Sequence, residues 1–577
     1  MDFVDFSNEV KRRPSIISGV SSFQVPGAPQ NVPNRNTSLN VSPHISKRAS
    51  SLKPKKQMPD SEDGTLNAAE TAEANAVERR EEDLEKGNEH AEKEAAQAKQ
   101  EQEKDPYLVE FTPDDPDNPK NWKTWYKWHC TMLSSLLILN STLASSIPSS
   151  ALANVMAEFG VSQEVAILQV TLFLLGYVVG PSFWAPVSEI WGRKPIFIIT
   201  LFVYTTVTIG CALAPNITCL LICRLITGTA AASPLTNSGG VVTDIWTLDK
   251  LGIPLATFSC SPFLGPVLGP ILGGFEAEYG NVGSSRGWQW TYYTCLIFGF
   301  ACLVLVIFFL PETYGPTIIE RRAKKVRKDT GDDRYYCATE KQRPPLGQLL
   351  KISLTRPMRL QVTEPIVIFS SIYISIVYGV LYMTFEAFPL IFRGVHGFSV
   401  GISGLSFISI AIGIGFFLIV TVIYDRRFQR VARETKRLPP VEMRLEPTLH
   451  FGSFAFAIGL WWLGWTGYKA SIPWQAPMAA GIPLGFGIVM IFMSFLNYLA
   501  STYVTFSASA LAANTITRSV VGAVCPLFVD QMFTGMKIQY AATLLAGVAT
   551  VLCAVPFWFY YNGAKLRERS KFAFKYH

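Results

Sequence analysis

Apolar residues in this chain gather into long runs separated by short polar stretches, and the runs follow a polar, charged region at 1–125. They cover approximately 127–149, 165–186, 195–214, 217–239, 252–275, 290–310, 364–391, 401–424, 448–468, 474–499, 503–530 and 537–561. A helix rises about 1.5 Å per residue, so about 20 apolar residues cross the hydrocarbon of a bilayer. Each run is long enough, with some tilt allowed. The pattern predicts an all-α membrane protein of twelve transmembrane helices, numbered below as spans 1 to 12. Six runs precede a hydrophilic stretch at 311–360 and six follow it. That is the plan of folds built from two related six-helix halves.

The polar positions add orientation. Residues 1–60 are rich in Ser, Pro and Asn, and 66–104 are mostly Ala, Glu and Lys. Such segments cannot build a core. The first thirty residues hold no continuous apolar stretch, so span 1 is expected to act as its own insertion signal. Segment 311–360 carries twelve Lys and Arg, and 425–447 carries seven. The tail adds Lys565, Arg567, Arg569, Lys571 and Lys575, while the alternate loops offer only Arg286, Arg393, Lys469 and Lys537. Lys and Arg mark the cytosolic side, which places both termini and the middle loop there. The expected organisation is a charged cytosolic region at 1–125, a six-helix half at 126–310, a basic cytosolic loop at 311–363, a second half at 364–562 and a cytosolic tail at 563–577.

Composition sharpens this picture only slightly. Of 577 residues 49% are hydrophobic and 16% charged, against about 25% charged in a soluble chain. The net charge of +7 lies in loops between spans and is no nucleic-acid signal. The ten cysteines form no CxxC pair and no metal-ligand pattern with the six histidines. No phosphate-cradling loop is present, so ATP is not expected to drive the protein directly. No nucleophile–base arrangement stands out, and no enzymatic activity is expected.

The first chemical motif is the stretch from Gly180 to Pro195, ending Pro186-Val187-Ser188-Glu189-Ile190-Trp191-Gly192-Arg193-Lys194-Pro195. It resembles the turn between spans 2 and 3 of the major facilitator superfamily, Gly-x-x-x-Asp-Arg-x-Gly-Arg-Lys/Arg. Glu189 stands at the Asp position, and Gly192, Arg193 and Lys194 match. Ala185 replaces the leading Gly, and Ile190 replaces the first Arg. The form is similar to that of the fungal multidrug-resistance branch. An acid at a helix end, bonded to Arg193 and to the other half, can latch one state closed. After span 8, Asp425 followed by Arg426 and Arg427 echoes this turn after span 2.

Further motifs extend the resemblance. Arg224 lies inside span 4 and precedes Gly228 by four residues. An intramembrane Arg costs at least about 3 kcal/mol unless it faces a partner or a polar cavity. The resemblance implies a link to proton coupling. Span 5 carries Gly265, Gly269 and Gly273 every four residues, with Gly274 beside them and Pro262, Pro266 and Pro270 in an adjacent row. The glycines make a flat packing face; the prolines remove three helix hydrogen bonds. This looks like the antiporter motif of proton-driven drug exporters. Span 7 places Tyr378, Tyr382 and Glu386 at i, i+4 and i+8 on one face. An acid at membrane depth suits proton exchange, and aromatics with a carboxylate suit flat cations. Asp117 to Trp122, Pro311 to Tyr314, and Asn514 to Ser519 in span 11 complete the resemblance.

These observations predict a proton-coupled antiporter that exports amphipathic or cationic organic molecules by alternating access, with polyamines as a further class. The expected substrate and proton path is Arg224, Tyr378, Tyr382, Glu386 and Asn514. The expected cytosolic gate is Glu189, Gly192, Arg193, Lys194 and Asp425. The span-5 hinge comprises Gly265, Pro266, Gly269, Pro270, Gly273 and Gly274. No cofactor or metal is expected beyond the proton motive force. The expected partners are a small molecule, protons and membrane lipids, with no nucleic acid and a monomeric chain. A plasma-membrane location is expected, with the vacuolar membrane as the alternative. Two other functions fit the same fold: nutrient uptake by proton symport, and a transporter-like sensor.

Overall fold

A computed structural model describes residues 105–247, 250–280, 286–342, 345–435 and 439–573. The polar region at 1–104 lies outside the described residues, as does the end of the tail at 574–577. From Val109 onward the chain forms one helical unit. Among the described residues, ten helices are long and apolar enough to cross a membrane. They are Thr124–Phe159, Gln163–Trp191, Arg193–Ala212, Ile217–Ile245, Gly252–Tyr279 and Gly287–Phe309 (spans 1 to 6), then Pro365–Val395, Val400–Thr435, Gln475–Thr502 and Ile538–Arg569 (spans 7, 8, 10 and 12). Span 11 is a pair, Val504–Val524 and Pro526–Met536, bent by 47°. Pro526 lacks the N–H that would continue the helix. Span 9 is shorter than its apolar run. A wide turn, Thr448–Gly452, leads into the regular helix Ser453–Thr466.

The packing pairs recur with a displacement of six. Spans 1 and 5 pack together, and so do 7 and 11; 2 and 4 correspond to 8 and 10; 3 and 6 correspond to 9 and 12. Across the interface, span 5 meets span 8 and span 2 meets span 11, which are also equivalent pairs. The result is two pseudo-symmetric six-helix halves.

Span 5 shows how sequence sets this interface. It runs as one helix through its three internal prolines. A Cβ on Gly265 would lie 2.8 Å from the Leu143 nitrogen, and one on Gly269 would lie 2.8 Å from the Ile147 nitrogen. Gly273 likewise faces the Ile147 backbone. These glycines hold span 5 at backbone distance from span 1. The adjacent face turns to span 8, where a Cβ on Gly274 would lie 2.9 Å from the Val400 carbonyl and Gly404 covers Pro270. The two rows therefore serve two neighbours, one within the half and one across it.

The segment before span 1 folds back onto a helix of the basic middle stretch, Gly315–Thr330. Arg322 binds the Asp115 carboxylate and also Asp117 Oδ2 at 2.7 Å. The guanidinium holds the Asp115 carboxyl below its ordinary range. This strap is thus present at neutral pH and weakens only as pH falls below about 4.

Candidate functional site

The centre of the unit holds two buried guanidiniums, one in each half. Arg224 of span 4 is 2% exposed. Its Nε donates to the Gln169 carbonyl at 2.8 Å, and its guanidinium stacks 4.1 Å from the Phe173 ring centre. This geometry depends on Gly228, one turn along. A Cβ there would lie 2.8 Å from Phe173 Cα, so only glycine lets span 2 approach closely enough to bring Phe173 under Arg224. Gly176 completes the crossing against Gly228 and Thr229.

The second is Arg518 of span 11, 7% exposed. Its guanidinium lies 4.5 Å from the Phe492 ring centre and 5.3 Å from that of Tyr378. Here too a glycine follows at the fourth position. A Cβ on Gly522 would come within 2.8 Å of the Tyr378 ring. Arg518 lies outside the expected substrate and proton path, although the stretch Asn514 to Ser519 that holds it is part of the resemblance. The signal was available: Arg518–Gly522 repeats the Arg-x-x-x-Gly spacing of Arg224–Gly228.

Span 1 joins the two centres. The Tyr177 hydroxyl donates to the Ser141 carbonyl at 2.9 Å and lies 2.9 Å from Ser141 Oγ. One turn away, Ser145 Oγ lies 2.9 Å from the Tyr382 hydroxyl. The Tyr378 hydroxyl donates to Tyr382 at 3.4 Å. The expected pairing of Tyr378 with Tyr382 is present, and both rings are buried. Glu386, one turn further, is 7% exposed, and its Oε1 is buried without a hydrogen bond. Its acidic neighbour is Asp530 of span 11. Asn514 is fully buried and donates to Ser371 Oγ at 3.4 Å, tying span 11 to span 7.

The expected gate is rearranged in one respect. Glu189 is exposed and makes no hydrogen bond or ion pair with Arg193 among the described residues. Arg193 instead turns inward: Nη1 donates to Ser188 Oγ at 2.7 Å, and Nε lies 3.4 Å from Asp244 Oδ2 at the end of span 4. The cause is the turn at Gly192, whose φ of +98° reverses the chain before span 3. That reversal also presents the Arg193 N–H to Glu312 Oε1 at 2.9 Å, so the acid of the Pro311–Tyr314 motif caps the turn. Lys194 donates to the Ile307 carbonyl at 3.0 Å. Asp425 lies across the interface, its carboxylate against Gly252 at the start of span 5. There the helix dipole favours negative charge.

Arg193→Ala strands Asp244 beside Glu312 and is expected to cost on the order of 2 kcal/mol. Glu189→Gln is expected to stay within about 0.5 kcal/mol of the wild type. Thermal melts of the two purified variants read the difference.

The halves also touch at the opposite end. Glu278 Oε2 accepts from the Gly401 N–H at 2.7 Å, and Gln531 donates to Glu164 Oε1 at 2.9 Å. Between these ends Thr171 donates to the Ala523 carbonyl at 2.9 Å. The halves therefore make contact at both ends and between them.

Residues 134–526 match the profile of the Major Facilitator Superfamily. This chain belongs to that superfamily. The efflux pump FUB11 of Gibberella moniliformis is 40% identical over 470 residues, 81% of this chain and 78% of that protein. The major facilitator superfamily multidrug transporter mdrA of Aspergillus fumigatus is 40% identical over 476 residues, covering 82% and 77%. The transporter paaT of Penicillium rubens is 39% identical over 467 residues, covering 81% and 84%. Among solved structures, the proton:xylose symporter XylE superposes with a TM-score of 0.54 at 17% identity, covering 76% of this chain and 96% of that one. That likeness shows the fold alone. As a major facilitator protein the chain is a multi-pass membrane transporter and not an enzyme, and its substrate is a small molecule.

Proposed function

We propose that this transporter is a proton-coupled exporter of amphipathic or cationic organic molecules, drugs and other xenobiotics among them, working by alternating access. The observation that carries the reading is the naming of fungal relatives, matched over about four fifths of this chain, as an efflux pump and a multidrug transporter. The geometry supports it. Equivalent interfaces, spans 2 and 11 and spans 5 and 8, join two similar halves that can rock about a shared centre. In span 5 the packing glycines face both span 1 and span 8. The end carrying Arg193, Asp425 and the basic middle stretch is assigned to the cytosol by its Lys and Arg. The plasma membrane is the proposed location.

Glu386 is the proposed proton carrier, because it is a buried acid with an unpaired oxygen beside the tyrosine pair. The driving force is sufficient. One inward proton supplies about 2.3 kcal/mol per 100 mV and about 1.36 kcal/mol per pH unit. At ~100 mV and two pH units, that is about 5 kcal/mol. Such a force sustains a gradient of roughly 10³ to 10⁴ for a neutral substrate. The test is dye efflux from cells expressing the protein, with and without an uncoupler. Uncoupler-sensitive efflux is expected; uncoupler-sensitive accumulation points to symport.

A further inference from the structure

Ser570 to Ala573, which follow span 12, stay docked on the helical unit. Ser570 and Ala573 are each 9% exposed. The Ser570 hydroxyl uses its whole hydrogen-bonding capacity, one donor and two acceptors. It donates to Glu364 Oε2 at 2.6 Å and accepts from the N–H groups of Phe572 and Ala573 at 3.1 and 2.9 Å. The Glu364 carboxylate is itself buried and also accepts from the Tyr503 hydroxyl at 2.9 Å. A hydroxyl bond this short to a carboxylate is charge-assisted. It fixes the tail to the start of span 7.

The neighbours show what the tail holds. Glu364 stands between span 7 and the helix Leu346–Thr363 of the basic middle stretch. That helix packs against span 11 of the second half and span 2 of the first, so it bridges the halves at the end assigned to the cytosol. Its Arg359 lies 5.6 Å from the Phe572 ring centre, and Phe572 lies 5.5 Å from Phe506, at the entrance to span 11. One hydroxyl and one ring therefore pin the tail to the bridging helix. Arg567, three residues before Ser570, pairs with the buried Glu442 at 2.9 Å. Arg567-Glu568-Arg569-Ser570 places one base three residues before a serine and another beside it. Protein kinases that select basic flanks read such a pattern in an extended segment. In the docked tail both ends of the pattern, Arg567 and Ser570, are engaged.

We propose that Ser570 is a phosphorylation site, and that its modification undocks the tail and frees the helix Leu346–Thr363. The kinase acts on the lifted tail, since segments at a helix end open locally. Ser570 Oγ takes the γ-phosphoryl group of ATP. An Oγ–P bond forms, the bond from that phosphorus to the ADP oxygen breaks, and the hydroxyl proton passes to the kinase's base. The product has lost the proton that bonded Glu364 and carries a charge of about −2. Redocking presses that charge against a buried carboxylate, which repulsion and desolvation oppose. Phosphorylation thus traps a state that the bare tail visits briefly. The inference is independent of what is transported and in which direction.

The test treats the purified full chain in detergent with ATP and the catalytic domain of a calmodulin-dependent kinase. Peptide mass spectrometry reads phosphate at Ser570. Glu364→Ala, which removes the acceptor, and Phe572→Ala, which leaves span 7 untouched, are each expected to be modified at least about tenfold faster than the wild type. Hydrogen exchange then reads the tail. In the phosphorylated chain, and in Ser570→Glu, the Phe572 and Ala573 amides and the segment 346–363 are expected to exchange at least about tenfold faster. Ser570→Thr keeps the hydroxyl and is expected to stay within about threefold of the wild type. The proposal is overturned if Ser570 takes no phosphate in any of these chains, or if phosphate leaves the exchange unchanged. Slower exchange also overturns it, because the phosphate would then have paired with Arg359 in the docked tail.

Discussion

Glu386→Gln is expected to lower proton-driven efflux by about tenfold or more, equivalent to at least about 1.4 kcal/mol in the coupled step. The side chains are nearly isosteric, so packing against span 11 is preserved. Gln resembles the protonated acid and cannot release a proton. Folding is not expected to suffer, because the change removes an acid whose Oε1 has no hydrogen bond. Asp530 remains and cannot substitute, since it belongs to the half-exposed end of span 11 and not to the tyrosine face. Net efflux alternates an ionised, substrate-bound carrier with a protonated, empty one, and exchange of internal for external cationic substrate uses only the ionised form. The variant, fixed in the likeness of the protonated form, is therefore expected to lose exchange as well as net efflux, each by about tenfold or more, while its size-exclusion profile stays that of the wild type. Exchange or efflux at the wild-type rate would remove Glu386 from the proton path.

Gly228→Val is expected to abolish the folded protein. Its Cβ would fall 2.8 Å from both the Phe173 Cα and carbonyl carbon, and backbone atoms cannot swing aside. Spans 2 and 4 would have to separate along their whole crossing, exposing the arginine between them. Overpacking of this kind costs about 3 kcal/mol or more. Gly522→Ala supplies the contrast. There the obstacle is the Tyr378 ring, a side chain that can turn. The protein is expected to fold and to bind its substrate more weakly, because the Tyr378 ring is displaced from its place 5.3 Å from the Arg518 guanidinium. Fluorescence-detected size-exclusion profiles separate the two outcomes: a collapsed peak for Gly228→Val and a monodisperse one for Gly522→Ala.

The sequence revealed the spans because lipid imposes a simple rule, that twenty apolar residues must run unbroken. It was weaker where other rules act. The end of span 1 continues beyond its apolar run through a tight 3-10 turn at Ile147–Ala151. Span 8 continues as a polar helix to Thr435, well beyond the lipid signal. The apolar run 503–530 continues unbroken through Pro526, so hydropathy alone does not show the 47° bend there. Among the site residues, Tyr378, Tyr382 and Glu386 could be placed together because helical periodicity is local. Tertiary partners are not local. Asp244 lies 51 residues from Arg193, and Glu312 lies 119 residues away. Nothing in the turn itself distinguishes Asp244 from Glu189, which is only four residues from Arg193. Arg518 is the exception, since a second Arg-x-x-x-Gly was there to be found. Its importance follows from the equivalence of environments: a guanidinium over an aromatic ring, placed by a glycine one turn on.

The most direct test of proton-coupled export is the direction of movement under an imposed pH gradient. Inside-out membrane vesicles containing the protein, acidified inside, are loaded with external rhodamine 123 or fluorescein. The account predicts that an acid interior drives dye into the vesicle, the topological equivalent of export, and that an uncoupler abolishes the uptake. Dye expelled from preloaded vesicles down the same proton gradient would contradict it and establish symport.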